Sequence, residues 1–285
     1  MRPMIGITIL LAAFGVLPAQ AEISLEFGVY TSDKPSTMVR MFRPILNVVQ
    51  NRLAEKLGEP VKIQLQVAKD YDEGIDDLVS GKVDFARMGP ASYVTSKQRN
   101  PGLQLLAMES AKGKSTFYGI ICVPEQSKVQ TVAELKGRTF AFGNKRSTIG
   151  RYLSQRLLVE KGIYASDLAR YEYLGRHDKV GAAVGAGQFD AGALKEGTFK
   201  KLRKKGIPIR ELTRFLNVTK PWIAASEMEP NIVSALTEVL LELKDPTALK
   251  AIKKQGFLPA EDSEYDFVRK AMKNNDLFFN KTTAE

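Results

Sequence analysis

Cysteine and histidine are almost absent: the 285 residues include one of each, Cys122 and His177. A single cysteine excludes an internal disulfide framework and every multi-cysteine metal site. A single histidine leaves no histidine-rich zinc or iron centre to build, so neither a metal nor a cofactor is expected. Also missing are internal repeats, a low-complexity linker, any long apolar run beyond the first twenty residues, and the Gly-Lys-Ser/Thr ending of a nucleotide-binding phosphate loop. What is there is the composition of a globular protein, 44% apolar and 26% charged, too apolar for a disordered chain. The length suits two domains of ordinary size or one large one. Basic residues outnumber acidic ones 42 to 32, a net charge of +10. That excess favours an anionic partner without choosing between nucleic acid, lipid and a small oxyanion.

The N-terminus narrows the choice. Arg2 forms a short positive region, Met4 to Val16 an apolar stretch, and Ala19-Gln20-Ala21 a signal-peptidase site. The stretch is short for a membrane span, and no cysteine near the cleavage point offers a lipid anchor. Residues 1–21 therefore read as a cleavable signal peptide and the mature chain, from about Glu22, as a soluble periplasmic protein. An exported protein seldom meets nucleic acid, which drops out as a partner.

Downstream, short strand-like runs alternate with helical patterns, which predicts an α/β fold with mostly parallel sheets. Ile23–Tyr30 reads as a strand. Val39, Phe42, Leu46, Val49, Leu53 and Leu57 recur at helical spacing, and Val61, Ile63, Leu65 and Val67 alternate with polar residues as a half-buried strand. Further strands are expected at Val83–Met88, Leu103–Met108, Phe117–Val123, Thr139–Phe142, Tyr171–Leu174, Phe189–Leu194 and Ile209–Leu212. Helices are expected at Tyr71–Ser80, Ser147–Lys161, Lys179–Ala186 and Glu196–Lys205, and after Trp222–Ala225 the chain turns helical to its end. The pattern suggests an outer lobe of residues 22–112 and 220–285 with a second lobe, 117–215, inserted into it. Two crossover strands would join the lobes and leave a ligand cleft between them.

Two strand-to-helix junctions stand out. At Phe140-Ala-Phe-Gly-Asn-Lys-Arg-Ser147-Thr148-Ile149-Gly150, a strand runs through a polar loop into a helix that starts on two hydroxyl residues. Such a start offers unpaired backbone N–H groups and a positive dipole end to an anion, yet Ser and Thr are also ordinary N-caps. At Leu174-Gly-Arg-His177-Asp178 the lone histidine stands at the next helix start, where its ring N–H could reach an oxyanion or serve a structural role. The residues alone leave both pairs of readings open.

The order of Ala68-Lys-Asp-Tyr71, Gly89-Pro-Ala-Ser-Tyr93, Phe117-Tyr118-Gly, Ala133-Glu-Leu-Lys-Gly-Arg-Thr-Phe-Ala-Phe-Gly143, Ser147-Thr-Ile-Gly150, His177 and Phe189-Asp-Ala-Gly-Ala193 resembles the phosphonate-binding periplasmic proteins, within the phosphate/phosphite/phosphonate branch of ABC-transporter substrate-binding proteins. The resemblance runs from about residue 24 to 275. It implies a two-lobed type II periplasmic-binding fold without catalytic residues, and a membrane permease as partner. It further implies that Ser147 and Thr148 bind the phosphonate oxygens with the backbone N–H groups of Ile149 and Gly150, that His177 donates from the second helix start, and that Tyr71 and Tyr118 are cleft tyrosines. Tyr93, after Gly89-Pro90, either faces the cleft or packs.

Departures from the family pattern bear on selectivity. Ile149 replaces a hydroxyl residue. Of the two acids that hold an aminoalkylphosphonate's ammonium in relatives, Glu196 falls one residue out of step with the first, and Lys220-Pro221 stands near the second. A plain oxyanion such as phosphate, phosphite or a simple alkylphosphonate is the expected ligand. A monomer that delivers this ligand to the permease is expected. A ligand-presenting receptor for a membrane sensor kinase is the alternative within the binding class. A secreted hydrolase with Ser147 as nucleophile and His177 as base is the alternative outside it, though no Gly-x-Ser-x-Gly elbow surrounds Ser147. Cys122 reads as core, Trp222 as core or hinge, and the basic run of Lys195, Lys200, Lys201, Arg203, Lys204 and Lys205 as a solvated helix face.

Overall fold

The computed structural model describes residues 22–32 and 34–280; the signal-peptide assignment, residues 1–21, lies outside them. Along the chain come β1 (Ile23–Tyr30), α1 (Pro35–Leu57), β2 (Val61–Ala68), α2 (Tyr71–Val79), β3 (Phe85–Arg87), α3 (Pro90–Arg99), β4 (Gln104–Ser110) and β5 (Thr116–Pro124). Then follow β6 (Thr139–Phe142), a π-turn at Thr148–Leu153 leading into α4 (Ser154–Glu160), β7 (Arg170–Tyr173), α5 (His177–Gly185), β8 (Ala191–Lys195), α6 (Glu196–Lys204) and β9 (Ile209–Val218). The chain closes with β10 (Pro221–Ala224), α7 (Pro230–Leu241), α8 (Pro246–Ala251), β11 (Gly256–Leu258) and α9 (Asp266–Lys273). No described helix is long and apolar enough to cross a membrane.

The strands form two sheets, one per lobe, in the orders β11-β4-β10-β3-β1-β2 and β7-β6-β8-β5-β9. Both are mixed, which corrects the expectation of mostly parallel pairing. β1 runs parallel to β2 and β3, and β6 parallel to β7 and β8. The connecting strands reverse this: β5 leaves the outer lobe and β9 returns, so they pair antiparallel over nine registers, and β10 inserts antiparallel between β3 and β4. The two crossovers are β4 into β5 and β9 into β10. They are bridged where Thr219 N–H donates to the Ser115 carbonyl (2.7 Å) and Glu109 N–H to the Lys220 carbonyl (3.0 Å).

Local chemistry explains most boundaries. α1 opens with Pro35 in its first turn and stops at Gly58, whose φ of 70° suits a residue without Cβ. Its buried stripe is Met38, Phe42, Ile45, Leu46, Val49 and Leu53; Val39, counted toward the apolar face, lies outside it and is exposed. α3 was not expected, because Gly89-Pro90 marks a strand end, but the same proline sits at the first helical position and starts the next element. The helix expected over Ser147–Lys161 divides into the π-turn and α4. β9 extends six residues past Leu212, through alternating partly exposed positions that carry a weak apolar signal, and β11 adds a strand within the C-terminal stretch read as helical.

Trp222 is fully buried at the centre of the outer core, 4.7 Å from the Phe27 ring and 5.3 Å from that of Phe257. Cys122 is buried in β5, where burial pushes its thiol up to about 12 and keeps it a small hydrophobe. The end of the chain departs from the expected division of lobes. Phe278 packs at 5.6 Å from Phe142 and 5.9 Å from Tyr171, and Asn275 Nδ2 donates to Gln155 Oε1 (2.8 Å). Residues 275–279 therefore pack on the second lobe's core rather than the outer one's, where the Phe278 and Phe279 rings meet the Phe142 and Tyr171 rings.

Candidate ligand-binding cleft

Between the lobes, a small cavity of about 30 Å³ is lined from the outer lobe by Tyr30, Ser32, Tyr71, Arg87, Gly89 and Pro90. The second lobe and the crossovers contribute Phe117, Ser147, Thr148, Ile149, His177, Lys195, Asn217 and Lys220.

The Ser147 junction is built as a cap. Ser147 is extended (φ −78°, ψ 129°), and its Oγ accepts the Gly150 N–H at 2.9 Å. Its carbonyl accepts from Arg151 N–H and, one residue further, from Tyr152 N–H; the wider turn is of the π type that recurs at functional sites. Thr148 reaches across the cleft: its Oγ1 accepts the Ala91 N–H at 2.9 Å. Both hydroxyl oxygens thus accept a backbone N–H, which leaves each O–H proton available to an acceptor in the cavity. Capping and anion donation are compatible at the same atoms, so the alternatives left open by the sequence do not compete.

Glycines bring the two junctions together. A Cβ on Gly150 would stand 2.7 Å from the Gly143 Cα, and one on Gly143 would stand 3.7 Å from the His177 imidazole. Without those side chains, the loop after β6 and the start of α5 meet at the cavity wall, where His177 is buried. In the outer lobe, Asp70 caps α2 by accepting the Glu73 N–H (2.9 Å) and so sets Tyr71 at the helix start. The Tyr71 ring lies 4.1 Å from that of Tyr30. Tyr30 OH accepts the Gly89 N–H at 2.7 Å and shares a hydrogen bond with Ser92; burial raises its pKa and keeps it a neutral donor. Arg146 pairs with Asp72 at 2.7 Å across the cleft mouth.

Behind the cavity lies a buried charge cluster. Arg87 grips Glu109 through two nitrogens (2.8 and 3.3 Å), and Lys254 stands 3.5 Å from the same carboxylate. Burial alone would raise the Glu109 pKa; the charges of Arg87, Lys254 and Lys220 outweigh it and hold the group at about 2. The Lys220 and Lys254 ammonium groups lie 5.5 and 5.6 Å from the centre of the Phe117 ring. Lys220 is half-buried by surface, yet burial and the neighbouring Arg87 and Lys195 charges push its pKa well below the ordinary lysine value, with Glu109 opposing. Asn217 is buried in the wall with neither amide atom hydrogen-bonded.

Of the residues expected at the site, Ser147, Thr148, Ile149, His177 and Tyr71 line the cavity, and Gly150 supports it through its N–H. Tyr118, Glu196 and Tyr93 do not line it. Tyr118 is exposed with the Arg214 guanidinium 5.3 Å from its ring; successive strand residues face opposite ways, and Phe117 takes the inward position. Glu196 turns along α6 to pair with Lys200 at 2.7 Å, while Lys195, at the end of β8, faces the cavity. Tyr93 packs in the outer lobe, its ring 4.8 Å from Tyr265 and its hydroxyl donating to Asp262 (2.6 Å). Changing Tyr93 to Phe is therefore expected to cost about 1.5–3 kcal/mol of folding stability, one hydrogen bond to a charged acceptor, with ligand affinity unchanged; a Kd rise above threefold in calorimetry would return Tyr93 to the site. Reasoning from sequence missed Arg87, Phe117 and Asn217, and its placing of Lys195 on a solvated helix face is corrected: the residue ends β8 and lines the cavity. The available signal was Arg87, a charge inside the apolar run Val83–Met88.

Comparison with known proteins follows the same lines. The family described as ABC transporter, phosphonate, periplasmic substrate-binding protein matches residues 27–265. A protein of Prochlorococcus marinus named a probable ABC transporter phosphite binding protein, PhnD1, is 22% identical over 242 residues, 77% of this chain and 80% of that one. The phosphate-import protein PhnD of Mycolicibacterium smegmatis is 22% identical over 172 residues, 56% of this chain and 51% of its own length. The solved structure of PhnD1 from Prochlorococcus marinus in complex with methylphosphonate superposes with a TM-score of 0.77 at 19% identity, covering 88% of this chain and 97% of that one. With two lobes joined by two crossover strands and a family match across both, the chain belongs to the phosphonate-binding periplasmic substrate-binding proteins of ABC transporters, which are transport receptors and not enzymes.

Proposed function

We propose that the chain captures one small phosphorus oxyanion, namely phosphate, phosphite or a simple alkylphosphonate, between its lobes and presents it in the closed form to a membrane permease. Export rests on the signal peptide at residues 1–21, and the working unit is a monomer. Ser147 and Thr148 donate their O–H protons to the ligand's oxygens, His177 and Tyr71 donate from the two flanking helix starts, and the positive end of the Ser147 turn adds to the field. The single observation that carries this reading is Asn217, an amide nine-tenths or more buried in the cavity wall, unpartnered, among hydroxyl and cationic donors. Buried polar groups are normally paired, and a bound oxyanion would accept a hydrogen bond from the Asn217 Nδ2. The small cavity favours a compact ligand, in keeping with a phosphite-binding and a phosphate-import protein among the relatives.

A ligand ammonium finds Lys220 and Lys195 where a carboxylate would be needed, and Glu196 is already engaged by Lys200. Phosphate, phosphite or methylphosphonate is therefore expected to bind at least tenfold more tightly than 2-aminoethylphosphonate, a margin of about 1.4 kcal/mol. A thermal-shift screen over these ligands, followed by calorimetry, tests both points: a ligand at a hundredfold its Kd stabilises the fold by about 2.7 kcal/mol. Tighter binding of the aminophosphonate would reverse the selectivity, and no shift with any phosphorus oxyanion would overturn the function.

A further inference from the structure

Lys220 differs from the other hinge cations. Glu109 is shared between Arg87 and Lys254, and among the described residues no carboxylate pairs with Lys220; its ammonium instead stands over the Phe117 ring, whose other cation is Lys254. Arg87, Lys220 and Lys254 thus surround one acid, leaving an excess of two positive charges beside the cavity.

We infer that Lys220 makes the cleft selective for doubly charged oxyanions over singly charged ones of the same shape. A dianion balances that excess, whereas a monoanion of equal size and hydrogen-bonding pattern leaves one charge uncompensated in a poorly hydrated wall, where charge interactions are strong. The charged and titratable groups around Lys220 come from every neighbouring element: Arg87 on β3, Glu109 on β4, Lys195 on β8, His177 on α5 and Lys254 after α8. Only Glu109 among them favours its charged form, and that carboxylate is already claimed twice. The depressed pKa of the Lys220 ammonium agrees with a charge that lacks its partner until an anion arrives. The resulting ligand class is a dianionic tetrahedral oxyanion, with Lys220 as the determinant. This rests on the phosphorus-oxyanion reading above and narrows it.

Methylphosphonate and methanesulfonate are a matched pair, alike in shape and differing by one charge at mildly alkaline pH. Calorimetry on the mature protein should give methylphosphonate a Kd at least thirtyfold lower. In Lys220→Met, whose side chain keeps the packing against Phe117, that ratio should fall by tenfold or more. Lys204→Met, on the exposed face of α6, is the control and should keep it. A wild-type ratio below threefold, or a ratio unchanged in Lys220→Met with an unchanged melting temperature, overturns the inference while leaving the function in place. Absence of heat with methylphosphonate, phosphate and phosphite alike overturns the function itself.

Discussion

Replacing Glu109 by alanine is expected to lower folding stability by about 3–5 kcal/mol, the cost of stranding buried charges when one partner of an ion pair is removed. Glu109 is fully buried, holds Arg87 through two hydrogen bonds and stands 3.5 Å from Lys254, so its loss leaves Arg87, Lys254 and Lys220 repelling one another behind the cavity. The pH dependence has a definite sign. The folded-state pKa, about 2, lies below the ordinary value of 4.5, so the stabilisation is fully present above 4.5 and is lost as pH falls toward 2. Over that window it amounts to roughly 3 kcal/mol at 1.36 kcal/mol per unit, in keeping with the mutational figure. Urea titrations of the wild type and Glu109→Gln between neutral and acid pH measure it. Parallel stability curves for the two proteins over that window would mean that water already neutralises the cluster.

The second large effect concerns affinity. Ser147→Ala and Thr148→Ala are each expected to weaken binding of phosphate or methylphosphonate by about 1.5–3 kcal/mol, the worth of a hydrogen bond to a charged group. Stability should fall by only about 1 kcal/mol, one lost cap. Thr148 carries a further element, because its Oγ1 accepts the Ala91 N–H from the opposite lobe; Thr148→Ala should slow closure as well as remove a donor. Calorimetry paired with melting curves separates the two contributions. Unchanged affinity beside a lowered melting temperature would make both residues caps and nothing more.

How much of this was legible in the sequence follows from the range over which each signal acts. The strands and helices were readable because apolar spacing is local, and the Ser147 and His177 junctions because a cap is written within four residues. Facing was harder. Whether Phe117 or Tyr118 points inward is a question of strand parity, which depends on pairing with β9, a strand far along the chain. Glu196 and Lys195 are adjacent, yet one begins a helix and the other ends a strand, and that single step decides which enters the cavity. Arg87 ends β3, while Asn217 and Lys220 stand on the returning crossover more than a hundred residues later, so no window of sequence contains all three. The mixed sheets were missed for a related reason: the reversal of β5, β9 and β10 belongs to the route between lobes and not to any strand's own residues.

The segment that ends on Phe278 has a mechanical meaning. Two crossover strands side by side act as a strip, which permits bending and also twisting of one lobe against the other. Residues 275–279 add a third attachment, anchored by aromatic rings on the second lobe and by α9 on the first. A body held at three places keeps fewer ways to move than one held at two, so the open ensemble is narrower. Closure around a ligand then forfeits less freedom, and a larger share of each hydrogen bond made in the cleft is expressed as affinity. Trimming the chain before Asn275 should therefore loosen binding from a distance, through the breadth of the open state and not through any contact with the anion.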